Sequence, residues 1–379
     1  MTVMSRRTAI TLLAGAGVSP SFHAAFAKDA ADRKFIFVIL RGGMDGLSAL
    51  IPSSSDIEAL RGDISPAEQE RLPVGADFAL HPSFSGLHAL YRSGEAAFIH
   101  AAATPYRDRS HFDGQDALET LAGPDARDGW LNRALQASGA GDGLAIGYAV
   151  PLVLKGDAPA THWSPPVFAE ASEDLLDRLG DLYAGDPAFA ASLATARATD
   201  SPDIEMNGPR GPGGRAATIL KAAGELMAAD AGPGVGVVSI DGWDTHANQA
   251  PALTNRFRAL DQGLLALKDA LGDQWRKTAV VLASEFGRTV RVNGTEGTDH
   301  GTGGLVVLSG GAVAGGRTLG DWPGLKPRDL LDNRDLRPVN DMAAILKGVL
   351  RDHLGLDRAT LDQDVLPNSE PALNGLIRA

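Results

Sequence analysis

Short apolar runs closed by glycine or an acid constrain this chain more than any other feature. The first, 34–40, reads Lys-Phe-Ile-Phe-Val-Ile-Leu and is stopped by Arg41-Gly42-Gly43-Met44-Asp45-Gly46. A strand that is apolar at both alternating positions is buried on both faces, and that requires a sheet covered by helices on each side. The same grammar returns at 96–102, 235–240, 278–283 and 304–308. Helical patterns lie between these runs. At 83–93, Leu87, Leu90 and Tyr91 share a face, and 110–121 opens on Ser110, a good N-cap, although Gly114 weakens the pattern. Further helices are expected at 130–136, 253–271 and 339–354. The last has Asn340 and Asp341 at its start and Ile345, Leu346, Val349 and Leu350 as its apolar stripe. Strands alternating with helices predict an α/β fold, a three-layer α/β/α sandwich around a mostly parallel sheet.

The middle of the chain reads differently. Two short strand-like runs, 144–150 and 151–155, precede an Ala/Leu-rich helical stretch at 172–196, broken at Gly185-Asp186-Pro187. A Pro/Gly-rich loop follows at 200–214. This span, about 139–230, is expected to be a partly helical insertion covering one side of a single α/β domain at 28–379.

Residues 1–27 read as a targeting segment. Ser5-Arg6-Arg7-Thr8 opens it, a mildly apolar stretch follows at 9–18, and Ala25-Phe26-Ala27 offers a small-x-small cleavage site. The paired arginines and the Gly-containing apolar stretch resemble a twin-arginine signal. Ala9 stands where such signals often carry an aromatic residue. The expectation is export to the periplasm or beyond, with the twin-arginine machinery as a partner. The stretch is too short to span a bilayer, and no later run is long enough, so no stable membrane insertion is expected. The net charge of −12 argues against nucleic acid as a partner, since the usual footprint is a basic face. With no cysteine in the chain, thiol nucleophiles, thiolate ligands and iron–sulfur clusters are excluded.

Chemistry-bearing residues gather beside the apolar runs. Gly242-Trp243-Asp244-Thr245-His246, Ser284-Glu285-Phe286-Gly287-Arg288-Thr289 and Thr298-Asp299-His300-Gly301 supply carboxylates and imidazoles, the donors divalent metals take. Asp45 closes the first run, where open α/β sheets place their ligands. Taken singly, Asp45, Asp244 and Asp299 also read as ordinary turn residues. Glu285 is harder to explain so, because a carboxylate at the end of a buried strand is costly unless paired or metal-bound. Their joint occurrence at strand ends makes Asp45, Asp244, His246, Glu285, Asp299 and His300 the expected metal ligands. Ser110, at a helix start, is the first choice of hydroxyl nucleophile, since the helix N-terminus favours an anion held there. His111 is placed beside it for proton transfer. Arg41 and Arg288 are the expected clamps for a phosphate or sulfate.

These stretches, with Thr104-Pro105-Tyr106-Arg107-Asp108-Arg109-Ser110-His111-Phe112, resemble the DUF1501 family, exported bacterial proteins of the alkaline phosphatase/sulfatase-like superfamily. The resemblance implies that fold and a two-metal site beside a Ser, Thr or formylglycine nucleophile. It places the first strand-end acid on Asp45, an Asp-His pair on Asp244 and His246, and the last histidine ligand on His300. The Asp-His pair that follows a late strand falls on Glu285-Phe286, and phenylalanine binds no metal. Ala103 stands where a sulfatase carries its modifiable residue, which argues against a formylglycine enzyme. Ser110 and, second, Thr104 remain as nucleophiles.

The reading is an exported hydrolase of small anionic phosphate or sulfate esters, dependent on one or two divalent ions. Zn²⁺ or Mn²⁺ suits Asp244, His246 and His300, and Mg²⁺ or Ca²⁺ suits Asp45 and Glu285. The alternative is a non-catalytic binding or assembly protein on a degenerate hydrolase scaffold.

Overall fold

The computed structural model describes residues 33–123, 125–139, 141–147, 149–164, 173–183, 185–198, 215–229 and 232–378. The expected targeting segment at 1–27 and the expected loop at 200–214 lie outside them.

The strands, in chain order, are β1 (Lys34–Leu40), β2 (Leu50–Pro52), β3 (Leu72–Val74), β4 (Phe78–Leu80), β5 (Ala96–Ala103), β6 (Gly143–Ile146), β7 (Ala160–Trp163), β8 (Val235–Ile240), β9 (Thr278–Ala283), β10 (Gly304–Ser309), β11 (Arg317–Leu319) and β12 (Asn340–Asp341). The main sheet runs β11-β5-β10-β9-β1-β8-β6-β7, and β12 also pairs with β5. Pairing is parallel except at β10, which runs antiparallel to both neighbours. Its first residues therefore meet the C-terminal ends of β5 and β9, and the loop that connects β9 to it meets the loops after β1 and β8 at one edge.

Among the described residues the α-helices of four or more residues are α1 (Gly46–Ala49), α2 (Ser55–Arg61), α3 (Ser85–Arg92), α4 (His111–Thr120), α5 (Trp130–Ser138), α6 (Glu173–Tyr183), α7 (Pro187–Ala198), α8 (Ala216–Ala228), α9 (Gln249–Leu271) and α10 (Met342–Leu354). Strand side chains alternate between faces. Ile36, Val38 and Leu40 of β1 face a cluster formed with α3, α8 and α9, including Leu87, Leu220, Phe257 and Leu264. Phe35, Phe37 and Ile39 face the opposite cluster, with Leu131 and Leu135 of α5 and Ile345, Leu346, Val349 and Leu350 of α10. Phe37 meets Trp130 edge-on at 5.1 Å between ring centroids. Two buried faces are why β1 reads apolar throughout, and the layers are those expected of an α/β/α sandwich.

Several boundaries differ. The run 151–155 is not a strand but a 3₁₀ turn, Leu152–Leu154. Pro151 has no N–H for a ladder, and the Val153 N–H donates to the Glu119 carboxylate at 2.9 Å. The run 144–150 yields only β6, which ends at Ile146 before Gly147. The stretch 172–196 forms α6 and α7, separated where Gly185 and Asp186 stand. β6 and β7 extend the main sheet, and α8, not expected from the sequence, packs on α9. α9 begins at Gln249, ahead of the expected 253, because Pro251 falls in its first turn, where proline is tolerated. α10 begins at Met342 because Asn340 and Asp341 pair with β5 first. β2, β4 and β3 form a separate small antiparallel sheet.

Candidate metal centre

The segment after β1 turns sharply against the segment after β8. Gly42 adopts φ +118°, and a Cβ there would lie 2.5 Å from the Asp244 backbone nitrogen. Only glycine permits this approach, and it brings Arg41–Asp45 beside Trp243–His246.

Four side chains converge here. His246 Nε2 lies 2.9 Å from Asp244 Oδ1 and 2.9 Å from His300 Nε2. His300 Nε2 lies 3.2 Å from Asp244 Oδ1, and His111 Nε2 lies 3.4 Å from Asp244 Oδ2. The coordinating atoms of His111, Asp244 and His300 all fall within 4.8 Å of one another.

Each imidazole is turned by its other nitrogen. His111 Nδ1 donates to Glu285 Oε1 at 2.8 Å, His300 Nδ1 to the Arg109 carbonyl at 2.8 Å, and His246 Nδ1 to Asp299 Oδ1 at 3.2 Å. All three acceptors lack protons, so each Nδ1 carries a hydrogen, and in the neutral ring each Nε2 turns a lone pair inward. With the rings neutral, three lone pairs gather around the Asp244 carboxylate. His111 Nε2 is buried and has no hydrogen-bond partner. A divalent cation satisfies this donor set, and histidines held by a carboxylate or carbonyl behind them are the usual form of such sites.

Charge and hydrogen bonding hold the carboxylates Asp244 and Glu285 ionised. Burial acts to raise the Asp244 pKa, but the Arg288 guanidinium, by charge and hydrogen bond, and then His246 and His111 hold it below the ordinary value. Burial likewise opposes Glu285, and hydrogen bonds from His111, Gly42 and Gln115 keep it ionised. The hydrogen bond to Glu285 raises the His111 pKa, and burial lowers that of His300.

The other expected residues take different places. Glu285, expected as a ligand, is 2% exposed and accepts from the Gly42 N–H (2.8 Å), Gln115 (3.3 Å) and Ser284 (3.0 Å) besides His111. It stands behind an imidazole rather than in the centre. Asp299 stands in the same way behind His246 and accepts from Asn293 at 3.1 Å. Asp45, expected as a ligand, is not brought into the group. It caps α1 through the Leu47 and Ser48 N–H groups and pairs with buried Arg61 at 2.5 Å. Burial pushes its pKa up, and the Arg61 charge together with hydrogen bonds from Arg61, Gln249 and Ser48 more than reverses that.

The two expected clamps are occupied by the protein. Arg288 is 2% exposed and donates to the carbonyls of Gly42, Gly43, Trp243 and Thr298 and to Asp244. Arg41 reaches Ser239, Gln115 and Glu119. Thr104 is buried and its hydroxyl accepts the Tyr106 N–H. Ser110 is the N-cap residue of α4, with no capping bond from its hydroxyl. Its neighbours touch the centre on both sides, Arg109 through its carbonyl on His300 and His111 through its ring.

Phe286 closes the rear. Its ring lies 5.0 Å from both the His111 and the His300 rings. α4 passes so close that a Cβ at Gly114 would lie 3.1 Å from it, which accounts for glycine within this helix. The imidazole that Phe286 withholds comes instead from His111, which sequence reasoning assigned to proton transfer. Its position as the first residue of a helix behind a strand end was the available signal.

Residues 72–366 match the model of a family described as a protein of unknown function, DUF1501. No curated protein matches the sequence. Among solved structures, the chain is similar to a phosphonate monoester hydrolase of Agrobacterium radiobacter, with 13% identity, 86% of this chain and 74% of that chain covered and a TM-score of 0.37. It is similar to the PsFucS1 sulfatase from Pseudoalteromonas sp., with 12% identity, 96% and 78% covered and a TM-score of 0.41. The lipoteichoic acid synthase LtaP from Listeria monocytogenes is matched at 9% identity, with 93% and 82% covered and a TM-score of 0.37. Because the family match takes in well over half of its residues, the chain belongs to the DUF1501 family.

Proposed function

We propose that the chain is an exported, metal-dependent hydrolase of small phosphate or sulfate esters. The observation that carries this reading is the inward convergence of His111, His246 and His300 Nε2 on Asp244, each ring fixed by its Nδ1 partner. Three imidazoles and one carboxylate suit a single Zn²⁺ or Mn²⁺. A bound ion would act as a Lewis acid toward an ester oxygen and favour an ionised hydroxyl.

The chain supplies the rest. Ser110 is the nucleophile, at the start of α4, where the first-turn N–H groups are those a helix leaves unpaired and face an anion favourably. Glu285 and Asp299 hold His111 and His246 in the binding tautomer. The motif resemblance to the alkaline phosphatase/sulfatase-like superfamily supports ester cleavage as the chemistry. Arg6-Arg7 and Ala25-Phe26-Ala27 support export through the twin-arginine machinery to the periplasm. Among the described residues no helix is long and apolar enough to cross a membrane.

One observation favours a second reading, a metal-holding binding protein without catalysis. Arg41 and Arg288 are both spent inside the protein, which leaves neither for substrate. A screen of aryl phosphate, phosphodiester and sulfate esters, run on metal-loaded protein and on Ser110→Ala, decides between them. Turnover lost in Ser110→Ala supports the hydrolase. Full metal occupancy with no turnover of any ester supports the binding protein.

A further inference from the structure

We propose that Gln249 is the positioning residue that sets the distance between the two ligand-bearing loops of the metal centre. The inference rests on the metal-centre reading above and adds to it a residue outside the ligand set.

Gln249 is the first residue of α9 and is fully buried. Its Oε1 accepts two hydroxyls, Thr245 Oγ1 at 2.9 Å and Thr298 Oγ1 at 2.6 Å. Its Nε2 donates to Asp45 Oδ2 at 2.6 Å, with Ser48 Oγ at 3.4 Å. The orientation of the amide is therefore fixed. The oxygen must meet the hydroxyls and the nitrogen must meet a carboxylate that Arg61 keeps ionised.

The two threonines are the informative part. Thr245 stands between Asp244 and His246, and Thr298 immediately precedes Asp299 and His300. One buried oxygen thus joins the loop after β8 to the loop before β10. The same loops are tied again by the Thr298 N–H to the Thr245 carbonyl at 3.2 Å and by Asn293 to the His246 carbonyl at 2.9 Å. The spacing they set is that of His246 Nε2 and His300 Nε2. The floor beneath Gln249 is braced by Arg61, which binds Asp45 and the carbonyls of Thr289 and Val290 together. Asp45 thus serves the centre from below, as the fixed end of this bridge.

A group that fixes ligands from behind changes metal affinity by about 10–100-fold when removed. A group that only fills the core changes stability and leaves affinity per folded molecule alone. The test measures Zn²⁺ affinity by competition with a chromophoric chelator, well below each variant's unfolding midpoint. It compares wild type, Gln249→Leu, Thr298→Val, Thr298→Ser and the ligand control His246→Ala. The expected result is at least 10-fold weaker Zn²⁺ binding in Gln249→Leu and Thr298→Val, and near wild-type binding in Thr298→Ser, which keeps the hydroxyl. If Gln249→Leu does not fold, the two Thr298 variants carry the comparison. Wild-type affinity in Thr298→Val, alongside loss in His246→Ala, overturns the role of Gln249 and leaves the metal centre standing. No Zn²⁺ binding by wild type overturns the metal centre, and the positioning role with it.

Discussion

His111 Nδ1 lies 2.8 Å from Glu285 Oε1, and this hydrogen bond aims the far nitrogen of the ring at Asp244. The bond ties the first turn of α4 to the end of β9. Phe286, the residue after Glu285, then supports the ring it cannot replace.

Glu285 is expected to matter through His111. Glu285→Gln keeps the shape but loses the charge that holds the imidazole, and metal affinity is expected to fall about 10–100-fold. Glu285→Ala also strands the Gly42 N–H, at a cost of about 1–3 kcal/mol in stability. Metal titration and urea unfolding of both variants separate the two effects. Unchanged metal affinity in Glu285→Gln would remove its orienting role.

Arg288 is expected to be structural. Its guanidinium is bound to four backbone carbonyls and one carboxylate, and it is 2% exposed. Arg288→Met leaves four backbone carbonyls without their buried donor, and each buried group so stranded costs about 1–3 kcal/mol. Chemical denaturation measures it. A loss below 1 kcal/mol, on the order of an exposed pair, would contradict the assignment.

Stability is expected to fall between neutral pH and about pH 4. Burial lowers the pKa of His100 and of His353 from the ordinary 6.5 to about 4. Below pH 6.5 the unfolded chain takes up protons that the folded chain refuses. Their contribution is therefore complete above that pH, declines as pH falls toward 4 and levels off below it. Each histidine accounts for about 2 kcal/mol of loss at pH 5 relative to pH 7. Urea unfolding at both pH values, for wild type and His353→Asn, checks this; the variant is expected to show a shallower pH dependence. An equal slope in both would exclude His353 as a source.

Export is expected to depend on the arginine pair. Replacing Arg6 and Arg7 with Lys should leave unprocessed protein in the cytoplasm, as read by fractionation and immunoblotting. Normal processing of the double variant would assign the chain to the general secretory route.

What could be read in advance depended on how much of each signal was local. β8 and β9 fall on the expected residues because an unbroken apolar run between turn signals is complete in itself. β2, β3 and β4 have three residues each, too few to show a period, and their pairing is set by tertiary contacts. Asp45 shows the limit most clearly. An acid after a strand and before a helix is equally the mark of a ligand and of an N-cap. The partner that decides it, Arg61, stands out in no way in the sequence, and its burial is seen only in the fold. Gln249 carried no signal at all, since its role lies in three loops that meet only in the fold. Asp244, His246 and His300 were legible because two acid-and-imidazole pairs beside buried strands have few other uses.

The most direct measurement is elemental analysis of purified protein after dialysis against a mild chelator, for wild type, His111→Ala, His246→Ala and His353→Asn. The expected result is one tightly held divalent ion in wild type, its loss from His111→Ala and His246→Ala, and its retention in His353→Asn, whose ring bonds the Lys34 carbonyl away from the converging group. A full complement of metal in His111→Ala and His246→Ala, or a wild type that holds no metal and takes up none on titration, would contradict the metal centre.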